Sequence, residues 1–77
     1  MTGEGTLEVM PEGWGFVRQA AGEPSDQDPY VSQTQIQHFR LNAGDVIRGE
    51  VRPPCVHEGE RYYGLVKIES VNGQTAI

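Results

Sequence analysis

Basic residues are scarce in this chain. Six Lys and Arg stand against eleven Asp and Glu, giving a formal charge of −5 and a pI of about 4.8. That balance argues against nucleic-acid binding through bulk positive charge. Such a function would need local contacts, aromatic stacking or charge borrowed from a neighbouring domain. Cysteine is nearly absent. Cys55 stands alone, so an internal disulfide and a cysteine-built zinc site are excluded, and a reducing, cytoplasmic location is the default. No apolar run is long enough for a membrane span or a secretory segment. Internal repeats and low-complexity blocks are missing too. The 77 residues leave room for one domain, near the lower limit of independent folding.

Turn-forming residues, by contrast, are abundant. Gly 10 and Pro 5 point to short strands joined by tight turns rather than to long helices. Met1 to Gly5 is polar and glycine-rich, and is expected as a flexible N-terminal tail. Thr6 to Met10 alternates with period two and predicts a first strand. The turn Pro11-Glu12-Gly13 leads to a second strand, Trp14 to Arg18, as in a hairpin. Residues 19–27 form an acidic loop. Asp28 to Val31 is a short third strand whose Pro29 places it at an edge or at a strand start. Ser32 caps a helical turn over Gln33 to Phe39. Val46 to Arg52 is a fourth strand, stopped by Pro53-Pro54. Arg61 to Val71 is a long fifth strand with a bulge expected near Gly64. The domain proper is expected over 6–72, with 73–77 as a C-terminal tail. The predicted fold is all-β: a small five-stranded barrel with one helical turn after the third strand.

Strand parity then sorts the side chains. Trp14, Phe16 and Arg18 share one face of the second strand, and Gly15 and Val17 the other. The reversed choice, with the aromatics filling the barrel, would bury an unpaired Arg18 at a cost of several kcal/mol. With the valines inside, Trp14, Phe16, Arg18, Asp28 and Tyr30 all face solvent together. Clustered exposed aromatics beside an arginine mark a binding surface. Gly13 and Gly15, which flank Trp14, are expected to let a flat ligand approach the sheet. Either Tyr62 or Tyr63 can join this surface.

The sequence Gly13-Trp14-Gly15-Phe16-Val17-Arg18 resembles the first ribonucleoprotein-type motif of cold-shock domains, and Asp28-Pro29-Tyr30-Val31 resembles the second. Further matches follow in order: Val31-Ser32-Gln33-Thr34-Gln35-Ile36, Gly44-Asp45, Val51-Arg52-Pro53-Pro54 and Glu58-Gly59-Glu60-Arg61-Tyr62-Tyr63. From about Gly5 to Asn72 the series resembles the N-terminal RNA-binding domain of transcription termination factors of the Rho family. That resemblance implies a cold-shock-like OB barrel binding single-stranded, cytosine-rich RNA. Phe16 would stack one base, with Arg18 and Asp28 hydrogen-bonding its edge. Cytosine N4 is a donor suited to Asp28, and O2 and N3 are acceptors suited to Arg18. Tyr30, Glu60 and Tyr62 would form a second, narrow pocket for a neighbouring pyrimidine. Arg61 and Lys67 would contact phosphates, and Trp14 stands where the family has another aromatic.

The sequence also departs from the family pattern. The loop carrying Cys55-Val56-His57 is about two residues longer, and Gln37-His38 replaces more basic character. The helical segment that usually precedes the barrel is missing. A phosphate loop ending in Gly-Lys-Ser/Thr is missing as well. The chain is therefore expected to be non-enzymatic, either a fragment of a longer factor or a standalone relative, and monomeric as an isolated domain. Its partners would be the RNA and, for a fragment, the remaining Rho domains. Cys55 and His57 form no convincing nucleophilic pair, and with Glu58 no convincing metal site. No catalytic residue, metal or cofactor is assigned. Two other functions stay open: a protein-interaction barrel with an acidic surface, and a standalone cold-shock-like RNA chaperone.

Overall fold

The computed structural model describes residues 1–19, 25 and 27–75. Its elements are β1 (Thr2–Val9), β2 (Gly15–Arg18), β3 (Tyr30–Val31), α1 (Gln33–His38), β4 (Val46–Arg52), a 3-10 turn (Val56–Glu58), β5 (Gly64–Val71) and β6 (Gln74–Thr75). Most of the acidic loop expected over 19–27 lies outside the described residues.

The strands run in the order β3-β2-β1-β4-β5, and a parallel pairing of Tyr30 with Gly64 joins β3 to β5 and closes the barrel. The other ladders are antiparallel. This is the small OB-like barrel expected from the strand order. Closure matters in so short a chain, because it leaves few unpaired strand edges. Inward-pointing Leu7, Val17, Val31, Ile47, Val51, Leu65 and Ile68 fill it, with Ile36 of α1 and Leu41 plugging the interior. All the buried apolar residues are aliphatic. α1 starts at Ser32, which forms a capping box with Gln35: the Ser32 hydroxyl accepts from the Gln35 N–H, and the Gln35 side chain accepts from the Ser32 N–H. This satisfies backbone donors left open at the helix start.

Both chain ends extend further into the sheet than expected. Residues 2–5, expected as a tail, form the first half of β1 and pair with β4 from Thr2↔Glu50 to Gly5↔Ile47. The glycines there are not a sign of fraying. A side chain at Gly5 would collide with the Arg18 carbonyl where β1 crosses β2. At the other end, Gln74–Thr75 adds a short hairpin strand to β5 rather than a tail. Strand β5 begins at Gly64 instead of Arg61, so Arg61 to Tyr63 belong to the preceding loop. Its register slips twice against β4, and Val66 falls between the pairs Glu50↔Lys67 and Val51↔Leu65. One irregularity is thus at Val66, two residues beyond the expected place, and the other is at Glu69.

Candidate nucleic-acid interface

Strands β2 and β3 present the aromatic face. The β1–β2 turn is tight: the Met10 N–H donates to the Trp14 carbonyl at 2.7 Å and the Gly13 N–H to the Met10 carbonyl at 2.9 Å. It delivers Trp14 and Phe16 to the outer surface while Val17 points inward. The glycines around Trp14 serve packing rather than ligand access. A side chain at Gly15 would collide with the Glu8 carbonyl of β1, and Gly13 lies against the Gln33 side chain.

The aromatic rings form one continuous cluster. Trp14 meets Phe16 edge to face, with ring centroids 5.4 Å apart, and Tyr30 at 5.8 Å. Phe16 meets Tyr30 at 6.1 Å and Tyr62 at 5.4 Å, both nearly perpendicular. The Arg18 guanidinium carbon lies 4.7 Å from the Phe16 ring centroid. Tyr30 and Tyr62 are 38% and 57% exposed, while Trp14 and Phe16 are half-buried. Tyr62 is therefore the tyrosine that joins the face. Tyr63 packs against the core.

Arg18 is gripped by two carboxylates. Its Nε and Nη2 donate to Glu8 Oε1 at 2.8 and 2.6 Å, and its Nη1 donates to Asp28 Oδ2 at 3.2 Å. Partial desolvation pulls its pKa down, but the hydrogen bonds it donates to Glu8 and then to Asp28 outweigh it, so the net shift is upward. Glu8 was not singled out in the sequence. The signal was its outward parity on β1 and its opposite charge to Arg18.

Asp28 departs from its expected position. It is 1% exposed rather than facing solvent. Besides Arg18, its carboxylate accepts the Gln19 N–H at 3.1 Å and the Ser25 N–H at 2.9 Å. A buried carboxylate needs such partners. Two backbone donors from the segment leading into β3 supply them, which strand parity does not reveal.

Beside the aromatic cluster a cleft of about 510 Å³ is lined by Tyr30, Arg52, Glu60, Arg61, Tyr62 and neighbouring backbone. Glu60 is fixed in it by the Cys55 N–H at 2.9 Å and by Arg52 Nη2 at 2.9 Å. The Cys55 N–H and then Arg52 lower the Glu60 pKa, and the same pairing raises that of Arg52. Arg52 lies within a motif quoted above, yet its pairing with a residue eight positions on gave no periodic signal. The structure thus brings Tyr30, Glu60, Arg61 and Tyr62 together. Lys67 is not brought to them: it pairs across the sheet with Glu50 and does not line this cleft. Among the described residues, no group of three or more His, Cys, Asp or Glu could hold a metal ion, and no helix is long and apolar enough to cross a membrane.

An aromatic outer face on a closed OB-like barrel is the architecture of single-strand-binding modules. Residues 3–76 match the family described as the Rho termination factor RNA-binding domain, and the chain belongs to that family. It is 49% identical over 72 residues to the transcription termination factor Rho of Thermotoga maritima, covering 91% of this chain and 16% of that protein. Identity is 50% over 74 residues to Rho of Chromobacterium violaceum, covering 94% and 17%. With Rho of Bacillus subtilis it is 51% over 71 residues, covering 91% and 16%. The chain therefore spans about one sixth of the length of these relatives.

Proposed function

We propose that this domain binds single-stranded, cytosine-rich RNA as the primary RNA site of a Rho-type transcription termination factor in the cytoplasm. The rest of that factor would be its protein partner, and the isolated domain would be a monomer. The observation that carries this function is the contiguous cluster of Trp14, Phe16, Tyr30 and Tyr62 with Arg18 packed on Phe16. Stacking suits an acidic protein, because every base has a π-face and little bulk positive charge is required. One base stacks on Phe16, and the Arg18 N–H groups not bonded to Glu8 or Asp28 donate to O2 and N3 of cytosine. Asp28, enclosed by N–H donors, acts on the base through Arg18. A second pyrimidine enters the cleft between Tyr30, Glu60 and Tyr62, and Arg61 faces the connecting phosphate.

The test is a titration with short oligocytidine and oligoadenine at low salt, followed by amide shifts and Trp14 fluorescence. Selective perturbation of Phe16, Arg18, Tyr30 and Tyr62 by oligocytidine is expected. Equal responses to both strands would instead indicate a base-indifferent chaperone. No response to either would refute RNA binding by this chain and leave a protein-interaction barrel.

A further inference from the structure

The cleft that holds Glu60 does not end at Tyr30. A second groove of about 420 Å³ continues from it between α1 and β5. The two share Tyr30, Arg52 and Gly64. Beyond the seam the groove is walled by Ser32 and Gln35 on one side and by Leu65 and Val66 on the other. We infer that this groove is a subsite for one further nucleotide of the same strand, held by its phosphate and sugar, with its base left unread. The inference rests on the RNA-binding function proposed above.

Continuity is the first support. A strand leaving the Tyr30–Tyr62 cleft past Tyr30 enters the groove over Arg52. Charge is the second. Arg52 stands at the seam, its side chain is 55% exposed, and a single nitrogen bonds Glu60. The rest of the guanidinium fork can meet a phosphate. Apolar surface is the third. Val66 is a bulged residue of β5 and is 53% exposed. An outward branched side chain beside an open groove offers a sugar a surface to pack on.

The polar wall explains why the base goes unread. The Ser32 hydroxyl donates to Gln35 Oε1 at 3.2 Å, and Gln35 Nε2 donates to the Leu65 carbonyl at 2.8 Å. These groups hold the helix cap and tie α1 to β5. One Gln35 Nε2 hydrogen stays free on that wall, and a single donor cannot read a base edge bidentately; a paired readout would require breaking these bonds.

The experiment compares CpC, CpCpC and CpCpA binding to the full chain by amide-shift titration over a range of salt. The third nucleotide is expected to tighten binding by about 5-fold or more, the gain of one charge-assisted phosphate contact. The gain should be the same for C and A. The dependence of log affinity on log salt should steepen by about 0.7 for the added phosphate. Val66→Glu places a carboxylate in the groove from an exposed position. It should remove the gain and leave CpC binding unchanged, with an otherwise native amide spectrum. Arg52→Gln should remove the steeper salt dependence. A CpCpC affinity equal to that of CpC overturns the subsite, as does a gain that survives Val66→Glu. A strong preference for CpCpC over CpCpA overturns the base-indifferent geometry. Failure of CpC itself to bind would refute the proposed function, and the subsite with it.

Discussion

Replacing Phe16 tests the stacking platform most directly, and the structure sets how the test must be done. Phe16 touches three rings and carries Arg18 on its face. Each aromatic pair contributes about 0.5–1.5 kcal/mol beyond buried area. Phe16→Ala therefore weakens the fold as well as the site. A base stacked on an aromatic contributes about 1–3 kcal/mol, or roughly 5- to 150-fold in affinity. With Arg18 over the ring, one base stacks there, and Phe16→Ala should weaken oligocytidine binding by about 10-fold or more. Phe16→Leu separates the two effects. Leucine keeps most of the apolar contact with Trp14, Tyr30 and Tyr62 but has no π-face. It should retain most of the thermal stability while losing about as much affinity as alanine. The assay is calorimetry with oligocytidine, paired with thermal melts of both variants. Phe16→Leu with wild-type affinity would refute stacking on this ring, and matched losses of stability and affinity only in Phe16→Ala would show the ring to be structural.

Three further outcomes follow from the same contacts. Arg18→Ala should relax the preference for cytosine over adenine more than it reduces binding to mixed sequences, and competition titrations giving equal losses for all sequences would assign Arg18 to phosphate instead. Asp28→Asn turns amide hydrogens toward Gln19 N–H, Ser25 N–H or Arg18, and should cost about 1–3 kcal/mol in urea unfolding; an unchanged midpoint would contradict the buried network. Glu60, held below its ordinary pKa by the Cys55 N–H and Arg52, contributes stability above the unfolded-state pKa and loses it as pH falls through the lowered folded value. Its carboxyl and the Cys55 amide should therefore titrate together below the ordinary glutamate range by NMR. A midpoint at or above that range would remove the Glu60 contacts.

The barrel and its outward aromatic face were legible because one residue broke a tie. Parity alone allowed Trp14 and Phe16 inside or outside, and Arg18 on the same face made the inside choice too costly. Aliphatic Val17 and Val31 then had to fill the interior, as they do. Asp28 escaped the same logic because its partners are backbone N–H groups of a non-strand segment, and parity is silent about where such a segment returns. The pairing of residues 2–5 was hidden for a related reason. Whether a glycine-rich stretch frays or pairs depends on whether an edge awaits it, and the edge of β4 is 42 to 48 positions away in sequence. Lys67 was named through the family resemblance alone; in the sheet it follows the bulged Val66 and sits opposite Glu50. Glu8 and Arg52 share a further difficulty. Each matters through one ion pair, 10 and 8 positions apart in sequence, and the pairing itself leaves no period to detect.

The acidic composition and the proposed RNA site make a quantitative demand on each other. Log affinity for single strands falls with log salt by about 0.7 for each phosphate neutralised. Arg18 is held between Glu8 and Asp28, and Lys67 lies opposite Glu50. Of the basic residues at the site, this leaves Arg61, and Arg52 beyond its bond to Glu60, to meet phosphates. Two such contacts give a slope of about −1.4 for oligocytidine. Affinity that comes from stacking should change little with salt beyond that. Measured over a range of salt, a slope steeper than about −3 would require phosphates to be neutralised elsewhere on the barrel. The net charge of −5 supplies no bulk attraction to account for it, so such a slope would place the RNA on a surface other than the aromatic one.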